Sequence, residues 1–95
     1  MTKKVFVNGT FDIIHSGHLQ LLEYAKSMGD VVVVGIDSDE RVREKKGPSR
    51  PINNAEDRAY MLQSLKTVDH VVLFGSDEEV KKNRHLAWLL MFMPI

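Results

Sequence analysis

Apolar residues along the chain follow two patterns, short continuous runs and longer stretches in which they recur every three or four positions. Residues 5–8 form the first of the short runs and predict a short buried strand. Residues 18–28 predict a helix, because these positions have helical spacing: His18, Leu21, Leu22, Ala25 and Met28. Gly29 follows where a helix C-cap glycine is expected. Residues 31–36 are rich in valine, which is typical of a strand covered on both faces in a parallel sheet.

The order strand, helix, strand predicts a βαβ unit with a right-handed crossover. The next stretch, residues 37–54, is polar and contains glycine and proline. It predicts a loop, with a helical turn near residues 40–45. Asn54 is a candidate N-cap for a helix over residues 55–66.

A third apolar run, residues 68–74, predicts another strand. The acidic residues within 76–79 suit the positive end of a further helix. Strands that alternate with helices indicate the α/β class. We therefore predict a Rossmann-like parallel sheet with helices on both faces.

Composition narrows the class of protein. The chain has 95 residues, enough for one domain near the lower end of what a self-sufficient core requires. Its 13 basic and 13 acidic side chains give no net charge, so overall electrostatics favour neither nucleic acid nor an anionic membrane as a partner. The lack of cysteine excludes a disulfide framework and a thiolate metal site. No signal-peptide pattern follows Met1, so we expect a cytoplasmic protein.

The candidate chemistry concentrates between the first strand and the first helix, where residues 9–18 read GTFDIIHSGH. Gly9 lets a ligand approach the backbone, and the start of the helix offers unpaired N–H groups. His15 and His18 lie three positions apart on the first helical turn, so both imidazoles can reach one anion. This combination suits a nucleoside triphosphate whose α-phosphorus is to be attacked.

These residues carry a resemblance to a known family. Residues 9–12 and 15–18 resemble the signature of the HxGH nucleotidyltransferase superfamily, in particular its cytidylyltransferase-like branch. Residues 46–53 (KGPSRPIN) and 56–58 (EDR) resemble the domain that adenylylates heptose 1-phosphate. Glycerol-3-phosphate cytidylyltransferases share the first motif more than the second. The likeness covers about residues 4–79 and implies the HxGH nucleotidyltransferase fold in incomplete form.

The resemblance implies roles for individual residues. It places His15 and His18 against the α- and β-phosphate oxygens and adds Lys46 to the catalytic set. Asp12 either caps local N–H groups or helps to hold Mg²⁺ through water, and we favour the first role because a lone carboxylate is a weak metal site. Arg58 either meets a phosphate or braces a neighbouring acid. The expected nucleotide-binding residues are Gly9, Thr10, Phe11, Asp12, Gly17 and Arg58.

Three further residues are expected to contact the substrate. Asp37 ends the second predicted strand, where ligands of open α/β sheets gather, although it could simply start the loop. Lys45 is the neighbour of Lys46 and could be mistaken for it. Arg50 has the planar guanidinium that suits bidentate phosphate contacts.

The implied reaction is nucleotidyl transfer. An oxygen of a sugar phosphate or polyol phosphate attacks the α-phosphorus of ATP or CTP, and pyrophosphate leaves with Mg²⁺ that the nucleotide phosphates mainly hold. Residues 46–53 favour ATP and a heptose 1-phosphate over CTP and glycerol 3-phosphate. Neither nucleic acid nor a membrane is an expected partner, and no protein-held metal site is expected. The base and the acceptor stay open, because base choice in the family depends on later segments of the fold.

The end of the chain departs from the family pattern after about residue 80. Residues 85–95 are apolar on all sides, are too short to cross a bilayer, which needs about 20 residues, and lack the family's Ser-Thr-Thr-type motif. We interpret residues 1–80 as a nucleotidyltransferase-like domain and 81–95 as the atypical tail of a truncated or frame-shifted member. The alternatives are a short natural variant whose tail packs on the sheet, a membrane-surface or partner-binding segment, a tail that joins a homodimer, and an inactive nucleotide-binding remnant.

Overall fold

The structure, a computed structural model, describes residues 3–75 and 89–92. The described elements are β1 (Lys4–Gly9), α1 (Ser16–Met28), β2 (Val31–Asp37), α2 (Asp39–Lys46), α3 (Ala55–Gln63), β3 (His70–Phe74) and β4 (Leu89–Phe92). The predicted βαβ unit and Rossmann-like parallel sheet are confirmed. The helix expected to begin at residues 76–79 lies outside the described residues.

The four strands are all parallel and lie in the order β3-β2-β1-β4. Val5 of β1 is opposite Val32 of β2 on one side and Leu89 of β4 on the other. The chain therefore steps outward from β1 to β3 and then returns to the opposite side of β1. In open α/β sheets, ligands bind beyond the carboxyl ends of the strands where the order reverses in this way. The loop that follows β1 lies at that point.

The strand β4 was not predicted from the sequence. The apolar end of the chain shows neither helical spacing nor alternation, so its pattern does not distinguish a buried strand from a buried helix. The backbone of Leu89–Phe92 pairs with β1. The remainder of residues 81–95 lies outside the described part of the chain, and the proposed division at residue 80 stays a prediction.

The main core lies on one face of the sheet, where the inward side chains of β1 and β2 meet two helices. The buried residues of this cluster include Val5, Val7, Val32, Val34, Leu21, Leu22, Ala25 and Leu62. Helix α1 and helix α3 thus cover the same face. On the opposite face Phe6 and Phe74 pack with their ring centroids 5.6 Å apart.

Helix α2 lies where the sequence predicted a helical turn within the loop after β2, and it is about two turns long. Ser38 caps it by accepting a 3.2 Å hydrogen bond from the Arg41 N–H, and only Val42 of the helix is buried. Acidic residues occupy the first turn and basic residues the last, which complements the helix dipole. The prediction located the turn correctly but underestimated its length, because end effects rather than an apolar face favour this helix.

Two helix ends agree with the sequence in position but not in every detail. Asn54 caps α3 as predicted and accepts a 2.8 Å hydrogen bond from the Asp57 N–H, although the helix ends at Gln63 rather than near residue 66. Gly29 is the C-cap of α1, but its backbone is extended, with φ −159°. A Cβ there would lie 2.9 Å from the Lys3 carbonyl oxygen, so glycine is needed for close approach to β1 rather than for a left-handed turn.

Candidate active site

The chain turns sharply from β1 into α1 at Phe11. Phe11 has φ 52°, a left-handed conformation that costs a non-glycine residue of order 1–3 kcal/mol. Its side chain is fully buried in the main core, and burial of a phenylalanine ring offsets a cost of that size. The ring also packs on His18, with centroids 5.2 Å apart. Phe11 therefore anchors the loop that carries the histidines, and its expected backbone N–H contact to phosphate stays a prediction.

The two histidines of the motif are joined through the first turn of α1. His15 is the N-cap, and its Nδ1 accepts a 3.0 Å hydrogen bond from the Gly17 N–H. The His18 Nδ1 accepts a 3.0 Å hydrogen bond from the His15 N–H. The ring centroids lie 4.0 Å apart. The structure thus brings both imidazoles together, with one nitrogen of each bound to the helix start.

These bonds decide which ring nitrogen carries the proton. A neutral imidazole has one donor and one acceptor, so a ring that accepts at Nδ1 donates at Nε2. The His18 Nε2 is buried and has no hydrogen-bond partner in the described part of the chain. Burial, and then the charge of His15, lower the pKa of His18 below its usual value of 6.5. At neutral pH, His18 is therefore an uncharged donor in need of an acceptor.

Glycine is needed at position 17 for a local packing reason that differs from the expected one. A Cβ at this position would lie 2.8 Å from Cε1 of His15 and 3.0 Å from its Nδ1. Glycine therefore allows the His15 ring to lie on the helix start. The expectation was that Gly17, like Gly9 at the end of β1, admits the nucleotide, and for both residues that contact stays a prediction.

A cleft of about 190 Å³ collects the three expected catalytic residues and two of the other candidates. It is lined by Asp12, Ile13, His15, His18, Lys46 and Arg50. Lys46 ends α2 and Arg50 lies in the loop that follows, so two cations from one segment face two imidazoles from another. Such a site is electropositive and suits an anion with several oxygens.

Asp12 caps a distant segment instead of the local N–H groups that were expected. Its Oδ2 accepts a hydrogen bond from the Ile52 N–H and its Oδ1 from the Asn53 N–H, both at 2.8 Å. The Asn53 Nδ2 donates in return to the Asp12 carbonyl oxygen at 2.7 Å, and Arg50 lies 3.7 Å from the carboxylate. Burial alone would raise the pKa of Asp12, but the two amides, Arg50 and Arg58 outweigh it and lower that pKa below 3.8.

The Arg58 side chain is engaged by protein groups. Its side chain is 0% exposed. Its Nη1 donates to the Thr10 carbonyl oxygen at 2.9 Å and its Nε to the Asn53 carbonyl oxygen at 3.0 Å. Its Nη2 donates to Asp39 Oδ1 at 2.8 Å. The guanidinium is enclosed by protein acceptors, which supports the bracing alternative, and the expected nucleotide contact of Arg58 stays a prediction.

Asp37 and Lys45 likewise turn toward protein groups. The Asp37 carboxylate accepts a 2.7 Å bond from the Arg41 Nε and a 3.4 Å bond from the hydroxyl of Thr10. Lys45 lies 3.9 Å from the same carboxylate and is not among the residues that line the cleft with Lys46. Asp37 thus holds α2 to the end of β2, and the expected substrate contacts of Asp37 and Lys45 have no support in this arrangement.

Two residues that join parts of the site were not predicted from the sequence. Asn53 is joined to Asp12 and Arg58 through its N–H, its amide side chain and its carbonyl oxygen. Asp39 is the acid that receives Arg58. Asn53 lies within the stretch that resembles the family, so that likeness was a signal for it, whereas no local pattern marks Asp39.

Within residues 3–75 and 89–92, no group of three histidine or acidic side chains is placed to hold a metal ion. No helix in these residues is both long and apolar enough to span a bilayer.

Known proteins resemble this chain in sequence and in fold. Residues 6–91 match the sequence pattern of the cytidylyltransferase-like family. The bifunctional protein HldE of Sulfurimonas denitrificans is 59% identical over 75 residues, which are 79% of this chain and 16% of that protein. The bifunctional protein HldE of Helicobacter pylori strain J99 is 51% identical over 79 residues, 83% of this chain and 17% of that protein. The chain thus spans about a sixth of the length of these curated relatives.

A solved structure shows the same fold. It is the crystal structure of the lipopolysaccharide core biosynthesis protein from Thermoplasma volcanium, with a TM-score of 0.79 and 29% sequence identity. The alignment covers 90% of this chain and 68% of that one.

Proposed function

Because this chain belongs to the cytidylyltransferase-like family, we propose that it transfers a nucleoside monophosphate from ATP to a sugar phosphate such as heptose 1-phosphate, with release of pyrophosphate. The observation that carries the proposal is the cleft in which His15 and His18 face Lys46 and Arg50. The preference for ATP and a heptose 1-phosphate rests on the likeness of residues 46–53 to heptose 1-phosphate adenylyltransferase domains.

The reaction asks the protein to position two phosphates and to stabilise charge. An acceptor oxygen attacks the α-phosphorus in line with the departing pyrophosphate, and negative charge gathers on the phosphate oxygens. The Nε2–H groups of the two imidazoles donate to those oxygens, and the side chains of Lys46 and Arg50 neutralise them. The His18 Nε2 is already desolvated, and a desolvated donor stabilises charge more than a solvated one does.

Mg²⁺ belongs to the proposal as a companion of the nucleotide. Asp12 and Asp37, the two carboxylates beside the strand ends, are engaged with protein donors. The described residues therefore do not fit a protein-held magnesium site, and the phosphates and water would supply its ligands.

The proposed activity is tested by pyrophosphate release from ATP or CTP, each with heptose 1-phosphate or glycerol 3-phosphate. We expect release to be fastest with ATP and heptose 1-phosphate and to depend on the acceptor. The preference for CTP and glycerol 3-phosphate would move the assignment to the related cytidylyltransferases. Calorimetric binding of a nucleotide without any release would instead identify a non-catalytic nucleotide-binding domain.

Replacement of Gly17 by alanine is expected to lower kcat/KM by about 10- to 100-fold, since a 1 Å displacement in a site costs up to about that much. The added Cβ overlaps the His15 ring and must move it. Alanine in a helix is more stable than glycine by up to about 1 kcal/mol, which is similar to the cost of the displaced His15 cap, so the melting temperature should change little. Gln20→Ala, at an exposed position of the same helix, is the control. Unchanged turnover in Gly17→Ala would show that the His15 position is not needed.

A further inference from the structure

The proposed cleft has two walls that come from separate parts of the chain. One wall is the loop after β1 with its imidazoles, and the other is the end of α2 with the loop that carries Arg50. Their mutual distance decides whether one polyphosphate can touch both sets of donors. The contacts that join the two walls therefore bear on ligand affinity without touching the ligand.

Asp12 takes part in several of these contacts. Its two carboxylate oxygens accept from successive backbone amides, those of Ile52 and Asn53, which are 40 and 41 positions away in sequence. The Asn53 side chain closes a ring of hydrogen bonds by donating to the Asp12 carbonyl oxygen. Hydrogen bonds to a carboxylate are charge-assisted and about twice as strong as neutral ones. The Asp12 side chain is 10% exposed, whereas its partners Ile52 and Asn53 lie at the surface.

We propose that Asp12 is a positioning residue that holds the wall of Lys46 and Arg50 against the wall of His15 and His18, and that it thereby sets the affinity of the cleft for a polyphosphate. This inference rests on the proposed function, since it assumes that the cleft binds the phosphate chain of a nucleotide. Asp12 itself does not contact the reacting atoms, because both of its oxygens are engaged by the neighbouring loop.

The sign of the effect separates positioning from simple charge. Asp12 lies 3.7 Å from Arg50, and as a negative group on the cleft wall it repels an anion. If its charge alone mattered, Asp12→Asn would bind a polyphosphate more tightly. If Asp12 positions the loop, the same variant binds the polyphosphate more weakly. The asparagine side chain has one oxygen and one NH₂ group, and the NH₂ group cannot accept a hydrogen bond, so one of the two backbone amides loses its acceptor.

The first measurement is calorimetry with inorganic tripolyphosphate, which probes the cleft without a base or a sugar. We expect Asp12→Asn to raise the Kd at least about tenfold, the effect of losing one strong hydrogen bond. Asp57→Asn, with the same charge change in the first turn of α3, should leave the Kd within about twofold of the wild type. Asn53→Ala, which removes only the side-chain bond to Asp12, should give a smaller increase and serves if Asp12→Asn fails to fold. Equal or tighter binding by Asp12→Asn, or by Asn53→Ala in its place, overturns the proposal.

The second measurement is amide hydrogen exchange of Ile52 and Asn53 in the free protein. We expect both amides to be protected in the wild type and at least one of them to exchange faster in Asp12→Asn, while amides of β1 and β2 keep their rates. Unchanged exchange at both positions overturns the proposal whatever the activity assay shows. Failure of the proposed function looks different: the wild type would release no pyrophosphate from any nucleotide, while tripolyphosphate affinity and at least one of the two amides still responded to Asp12→Asn.

Discussion

The variant His18→Asn is expected to keep the fold and to lower kcat by about 10²- to 10³-fold, the usual effect of removing one donor to transition-state charge. The asparagine Oδ1 stands where the imidazole Nδ1 stands, so it can still accept the His15 N–H and preserve the helix start. The variant lacks the Nε2–H, which is the buried donor without a partner in the described part of the chain. Steady-state pyrophosphate release, read beside a thermal melt, checks both halves of the expectation.

The complementary variant is His18→Gln, whose side-chain amide reaches the position of Nε2 but leaves the His15 N–H without an acceptor. We expect it to retain more activity than His18→Asn and to melt at a lower temperature. Turnover in His18→Asn equal to that of the wild type would remove His18 from the catalytic set. A loss of folded structure in both variants would instead show that the ring is needed for the core beside Phe11.

The same residue has a pH signature. Burial, followed by the charge of His15, depresses the pKa of folded His18, whereas the unfolded ring titrates near 6.5. Protons therefore favour the unfolded chain, and the contribution of His18 to stability is present above pH 6.5 and decreases as the pH falls below it. His18→Asn should reduce this slope between pH 7 and 5, as measured by chemical denaturation at each pH.

Arg58→Ala is expected to destabilise the protein by about 3–5 kcal/mol, because it removes a fully buried side chain and leaves two backbone carbonyl oxygens without their donor, at about 1–3 kcal/mol each. The truncation leaves the carbonyl oxygens of Thr10 and Asn53 and the carboxylate of Asp39 without their guanidinium. For a domain of this size about 1 kcal/mol corresponds to about 4–8 °C, so the melting temperature should fall by about 12 °C or more. Thermal denaturation followed by circular dichroism measures the change.

The matched control is Arg43→Ala, which removes the same side chain from an exposed position of α2 and should change stability by less than about 0.5 kcal/mol. Arg58→Lys keeps the charge but not the planar fork, so we expect a loss between those of the two alanine variants. If Arg58→Ala melted with the wild type while its nucleotide affinity collapsed, the bracing role would be wrong and the original phosphate assignment right.

Local patterns were sufficient for three of the four described strands, β1 to β3, and for the first helix. The run of β-branched residues in β2 and the helical spacing in α1 are properties of neighbouring residues, and both elements formed where they were expected. The cap at Asn54 is also local and was confirmed. Helix α2 was predicted only as a helical turn, because its end charges and its Ser38 cap favour it without an apolar face. The pairing of Leu89–Phe92 with β1 is non-local, and an apolar run does not state its partner.

The same contrast between local patterns and long-range contacts holds for the candidate site. By itself the sequence determined the family, the parallel α/β fold and the two histidines, because a motif of ten residues contains the whole strand end and helix start. Only the tertiary structure decided what the charged residues do. It turned Arg58 and Asp37 toward protein acceptors and donors, assigned Asp12 to a loop 40 positions away, and left Lys46 and Arg50 facing the imidazoles. A charged side chain is equally suited to a ligand and to a protein partner, and the choice depends on which groups the fold brings within hydrogen-bonding distance.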